Sequence, residues 1–189
     1  MTSDDAEYPR IRLQNLWWVA AAAALLVAVV ASGDYYLLNL LHVLAGLLWT
    51  GIDLFMGFVI GPIMRRLAPP ARREFIIRLM PRMIFIMPTL SIMTTATGWF
   101  LAQRGGYFEL PYPQFWWLEA ALIVVTVLTV QGLGMLLPTN LLVYFEMLKP
   151  EPDMEKVGRW MRRYVRVVAS QGLMQIAIII VMARFVTGL

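Results

Sequence analysis

The chain has 189 residues, 60% of them hydrophobic and 15% charged, with a mean hydropathy of +0.67, a formal net charge of +4 and a pI of about 9.7. Several long apolar runs in such a composition predict an all-α, polytopic membrane bundle. Zero cysteines exclude disulfides, thiolate metal sites, covalent c-type haem attachment and cysteine nucleophiles.

A helix needs about 20 apolar residues to cross a hydrocarbon core. The runs therefore predict one integral membrane domain, 1–189, with five spans at 13–32, 35–67, 75–103, 114–148 and 155–187. The first run follows a polar, acidic segment and precedes no small-residue cleavage site, so it is expected to be a retained helix with Trp17 and Trp18 at an interface. Gly33-Asp34 predicts a tight turn. The second helix is longer than one span, so Arg65 and Arg66 should protrude into water, and Pro69-Pro70 should end it. The third has a basic entry (ARREFIIRLMPRM), two prolines at 81 and 88 that should bend it, and a stop at Arg104-Gly105-Gly106. The fourth starts at Phe115-Trp116-Trp117 and is expected to kink at Pro138. A polar breaker, KPEPD, precedes a charged stretch that feeds the fifth span. Helices two to five are predicted to form a four-helix antiparallel core with helix one packed outside it.

With the N-terminus cytoplasmic, every Lys and Arg except Arg104 and Arg184 falls on the cytoplasmic side, and the C-terminus lies opposite. That asymmetry predicts the orientation in a cytoplasmic (inner) membrane and makes the basic surface a match for lipid headgroups, not nucleic acid.

The second helix holds the only histidine. His42, Ala45/Gly46, Trp49 and Asp53 share one helical face, which should turn toward protein, because an ionisable group in hydrocarbon costs roughly 3 kcal/mol or more unless paired or solvated. Asp53 sits ~16 Å along the helix from His42, so the two cannot bond directly. Its expected partners are Arg78, Arg82, Asn140 or Arg166, as an ion pair with Arg82 or Arg78 in the simplest case and as a proton relay in the other. Glu119, near the outer end of helix four, reads either as a solvated interfacial residue or as a group handling protons or substrate.

Two readings of His42 stand side by side. In one it hydrogen-bonds a neighbouring helix. In the other it is an axial ligand of a b-type haem, with Gly46 and Trp49 shaping the pocket and the sixth position open or filled by Met, by Lys or by His42 of a second copy. Met80, Met83 and Met87 form a stripe that suits packing or Cu(I). The threonines of helices three and four, with Gln131, Gln171 and Gln175, read as interhelical hydrogen-bond positions. Ser-His-Asp, GxSxG, Walker-type and HExxH patterns are missing, which leaves hydrolase and nucleotide-driven pump readings without support.

The segment HVLAGLLWTGIDLFMGFVIGPIMRRL resembles the H-x-x-A-G/A-x-x-W-x-G-x-x-F helix of small membrane proteins that include CopD-type copper-resistance proteins, HemJ-type protoporphyrinogen oxidases and the membrane domain of bacterial urate oxidases. The matching positions are His42, Ala45, Gly46, Trp49, Gly51 and Phe55. The resemblance implies a four-helix core and haem b held by His42. The expected function is thus a b-type haem protein serving as an electron-transfer or redox subunit, with likeness to oxidoreductase components. The alternatives are a non-catalytic accessory subunit of a larger membrane complex and a copper-handling CopD-like protein. Expected partners are membrane lipid and either a second copy or a larger complex.

Overall fold

In the computed structural model, which describes residues 16–187, five helices follow one another: α1 Leu16–Ser32, α2 Tyr35–Arg66, α3 Pro69–Arg104, α4 Phe115–Met147 and α5 Met154–Val186. No strand occurs among the described residues. Helices α2 to α5 are each long and apolar enough to cross a membrane; α1, at 17 residues, is shorter. The start of the first predicted span and the basic residues Arg10 and Arg12 lie outside the described residues.

The connections explain the order. Gly33 takes φ +75, and the Asp34 side chain accepts from the Leu37 N–H at 3.0 Å, capping α2. α2 ends at Arg66 with Leu67 extended. Pro69 and Pro70 do not end it, as the sequence suggested, but begin α3, since a missing N–H costs nothing in a helix's first turn. Gly106, at φ +69, turns the chain after α3. Asp153 caps α5 through the Lys156 N–H at 2.9 Å.

α2 packs on α3, α3 on α4, α4 on α5, and α5 closes back on α2, while α1 lies against α3 and α2. This is the four-helix ring with one outer helix that was expected. Arg104 fastens α1 by donating to the Val30 carbonyl at 2.5 Å. The C-terminal ends of α2 and α4 meet the N-terminal ends of α3 and α5, so the arginine-rich segments gather at one end of the bundle, called here the basic end.

Two apolar clusters close the ends. Ile76, Ile77, Met80, Val143, Tyr144, Met147 and Val157 pack at the basic end, and Val29, Leu38 and Leu101 at the far end. Between them buried apolar residues such as Trp49, Met93 and Leu128 are interleaved with buried polar ones, Ser91, Thr97, Asn140, Gln171 and Gln175, while Leu47, Ile123, Leu173 and Ile180 face outward. Polar groups inside and apolar ones outside is the distribution a hydrocarbon surrounding selects.

Both α2 and α4 contain one π turn, at Met56–Ile60 and Gly132–Leu136, closed by Gly61 N–H to Met56 C=O and Leu137 N–H to Gly132 C=O. Each is followed two residues later by a proline, Pro62 or Pro138. Proline offers no N–H to the carbonyl four residues back, so the helix widens by a residue before it instead of breaking. The kink predicted at Pro138 is this widened turn. In α3, by contrast, Pro81 and Pro88 lie inside a helix assigned without interruption.

Candidate functional site

The α2 face holding His42, Ala45, Trp49 and Asp53 turns toward the bundle, with Ala45 and Trp49 buried and His42 half-buried. His42 lies against α3. Its Nδ1 is 3.0 Å from the Thr94 carbonyl and 3.2 Å from the Thr97 hydroxyl. A carbonyl can only accept. The Thr97 hydroxyl proton is already given to the α3 backbone, at 2.6 Å from the Met93 carbonyl. Both contacts therefore require a proton on Nδ1, and a neutral ring of that tautomer keeps an unprotonated Nε2. No described residue bonds Nε2.

Gly98 makes the approach feasible. A Cβ there would stand 2.9 Å from Cε1 and 3.3 Å from Nδ1 of His42, so the edge of the imidazole rests on bare backbone. Gly46 plays a weaker part: a Cβ at 46 would meet Thr94 Cγ2 at 3.4 Å, an ordinary contact. The small residues on this face thus bring α2 and α3 together rather than open a slot.

For a b-type haem the donor set fits at one position. A ring held through Nδ1–H by a backbone carbonyl, with Nε2 free, is how protein-bound imidazoles are oriented toward a metal. Among the described residues, the cavity inside the bundle does not match a haem. That cavity, about 40 Å³, lies around Asp53, not His42, and is far below the roughly 300 Å³ or more that organic ligands fill. Trp49, expected beside the haem, lines that cavity instead. Any porphyrin on Nε2 must sit on the flank of the bundle.

Asp53 departs from the ion pair expected of it. Gln175 Nε2 donates to its Oδ2 at 2.6 Å. Arg78 pairs with Glu74 one turn away on its own helix, and Arg82 donates to the Arg78 carbonyl at 2.7 Å. Among the described residues no cation lies in a salt bridge with Asp53. Both arginines are exposed at the basic end, where water and short local partners satisfy them without the desolvation a buried pair demands. The Asp53 cavity is also lined by Ser91, Asn140, Tyr164 and Gln171, by Met83 and Met87 of the methionine stripe, and by the π turn of α4. Met80 packs in the basic-end cluster instead.

Glu119 is exposed near the start of α4 and accepts from the Tyr112 hydroxyl at 3.3 Å. It belongs to neither the His42 contact nor the Asp53 cavity. The groves of glutamine and threonine do more than hold helices together: Gln175 holds Asp53, Gln171 donates to the Leu128 carbonyl at 3.1 Å, and Thr97 fixes His42. Thr94, Thr97 and Gly98 as the histidine's seat were missed as a unit. The signal was present, since T-T-A-T-G puts two threonines and a glycine on one helical face opposite a lone histidine.

In the comparisons with known proteins, no family model, no curated protein and no solved structure matches the chain.

Proposed function

We propose that the chain is an integral membrane protein that binds one b-type haem through His42 Nε2 and serves as an electron-transfer or redox subunit. The observation that supports this reading best is the tautomer: Nδ1–H is committed to the Thr94 carbonyl, which leaves Nε2 with its lone pair and no partner among the described residues. The bound haem would supply one-electron chemistry. The chain's own part is to fix the ring: Thr94 and Thr97 set its tautomer, and Gly98 lets it seat.

Because the interior has no room for the ring, the site is on the outer-half flank of α2 and α3 and is completed by a second copy or another subunit. Membrane insertion in the cytoplasmic membrane, five crossings and a cytoplasmic basic end are supported by the placement of arginines at one end and apolar side chains around the ring.

The test is the absorbance spectrum of the full chain purified in detergent and supplied with haemin. A Soret band and reduced α/β bands at sub-stoichiometric to equimolar haem, lost in His42→Ala, support the reading. A spectrum of free haemin, or one unchanged by His42→Ala, refutes it. One observation favours copper handling as a second reading: Met83 and Met87, a turn apart, both line the cavity at Asp53. Cu(I) taken up by the wild type and lost in Met83→Leu/Met87→Leu, with no haem bound, would favour it. A colourless, copper-free protein that copurifies with other membrane proteins would point to the accessory role.

A further inference from the structure

The interior carboxylate of Asp53 has no part in the haem reading, and its surroundings point to a separate role. It sits well inside the bundle: its partner Gln175 is nine residues beyond Arg166 on α5, or ~14 Å of helix rise. Gln175 is 1% exposed, and its Oε1 has no hydrogen-bond partner among the described residues. The cavity beside Asp53 measures about 40 Å³, enough for one or two waters and too small for an organic ligand or an ion that keeps its water shell.

The charged and titratable groups around it can be taken helix by helix. On α2 the cavity meets Asp53, its one titratable group there, and the Trp49 indole that donates to it. The α3 lining is Met83, Met87, Pro88 and Ser91, with Arg78 and Arg82 engaged at the surface. α4 contributes Asn140 and the π turn; its Glu146 is tied to Lys149 at 2.8 Å and Lys156 at 3.6 Å, farther toward the basic end. α5 contributes Tyr164 and Gln171, and its Arg163 and Arg166 line a separate open groove with Val167 and Ser170. Asp53 is thus a half-buried carboxylate held by two neutral donors, the Gln175 amide and the Trp49 indole, with no cation in a salt bridge to it among the described residues. Left ionised it would be a half-desolvated charge balanced by neutral donors alone.

We propose that Asp53 is a proton-binding site reached from the basic end by water held in this cavity. The lining gives the direction. Tyr164 and Asn140 stand at the basic end of the cavity, and Tyr164 falls between Arg163 and Arg166 of the surface groove. Gln171 and Trp49 close the other end. A cavity of about 40 Å³ has no room for a hydrated metal cation, whereas a proton passes by rearrangement of hydrogen bonds along water and needs no ion to cross. The step is a simple uptake: hydronium at the basic end gives its proton through water to a carboxylate oxygen of Asp53, forming the neutral acid and leaving water behind. The proposal shares only membrane insertion with the haem reading, and its readout does not involve haem.

The experiment is infrared spectroscopy of the full chain in lipid nanodiscs across neutral and mildly acidic pH, without haemin. The expected result is a protonated-carboxyl C=O band that titrates with pH, shifts in D2O, disappears in Asp53→Asn and is indifferent to sodium and potassium. Labelling aspartate with 13C at the side-chain carboxyl shifts the same band in the unmodified protein, which keeps the test valid if Asp53→Asn does not fold. Asn140→Leu, which fills the basic end of the cavity, should slow deuteration of the band several-fold while leaving it in place. A band that does not move with labelled aspartate, or is absent at every pH, overturns the site. Displacement of the band by sodium overturns a proton as the occupant, and an unchanged deuteration rate in Asn140→Leu overturns the route.

Discussion

Substituting Gly98 by alanine tests the seat of the histidine. The added Cβ would lie 2.9 Å from His42 Cε1 and 3.3 Å from Nδ1, closer than carbon and nitrogen tolerate. The ring must retreat, because the other side of the contact is α3 backbone. Retreat stretches the 3.0 Å bond from Nδ1 to the Thr94 carbonyl, worth about 1 kcal/mol, and overpacking costs about 1–3 kcal/mol more. Alanine's better helix propensity returns up to about 1 kcal/mol. The net expectation is a loss of roughly 1–3 kcal/mol. Two glycines on α2 serve as controls: a Cβ at Gly46 meets Thr94 Cγ2 at 3.4 Å, and a Cβ at Gly51 meets nothing within 4 Å. Thermal unfolding in detergent, followed by tryptophan fluorescence, should rank Gly51→Ala as most stable, Gly46→Ala near wild type and Gly98→Ala lowest. If Gly98→Ala melts with or above Gly51→Ala, the imidazole does not rest on Gly98 and the seat described here is wrong.

Further outcomes follow from the same contacts. Thr97→Val keeps the shape of a residue that is 0% exposed but removes an acceptor from His42 Nδ1, and should lower stability in the same melt by about 1 kcal/mol. Gln175→Leu removes the amide donor of Asp53 and leaves it only the Trp49 indole, at a cost on the order of 1–3 kcal/mol; Asp53→Leu/Gln175→Leu should recover part of it, because the carboxylate that lost its donor is gone as well. Arg104→Ala removes the bond to the Val30 carbonyl, and spin labels on α1 and α3 should then report a broader distance distribution at the far end with the α2–α3 distance unchanged.

The helices were legible because apolar length is a local property: residues 35–67 differ from the observed helix by one residue at the C-terminal end, and 114–148 by one residue at each end. Pro69-Pro70 was misread because proline stops one helix and starts the next by the same missing N–H. The π turns were not anticipated, although G-P and L-P after glycine-containing turns mark both. The face of α2 was legible from a 3.6-residue period. Asp53's partner was not, since helix rise fixes depth but not which residue of a neighbouring helix is rotated inward. Arg82 and Gln175 were both available on composition, and the buried site went to the residue whose desolvation costs less. The same limit kept Thr94 and Thr97 as unspecific packing positions until α3 was placed against His42.

The histidine's own nitrogens give the most direct test. The chain has one histidine, so 15N-labelled histidine in membrane-embedded protein yields a spectrum from His42 alone. The expected spectrum is that of a neutral ring protonated at Nδ1 with Nε2 unprotonated, whose Nε2 resonance is lost or strongly displaced when haemin is added. A ring protonated at Nε2, or an Nε2 signal that haemin leaves untouched, contradicts it.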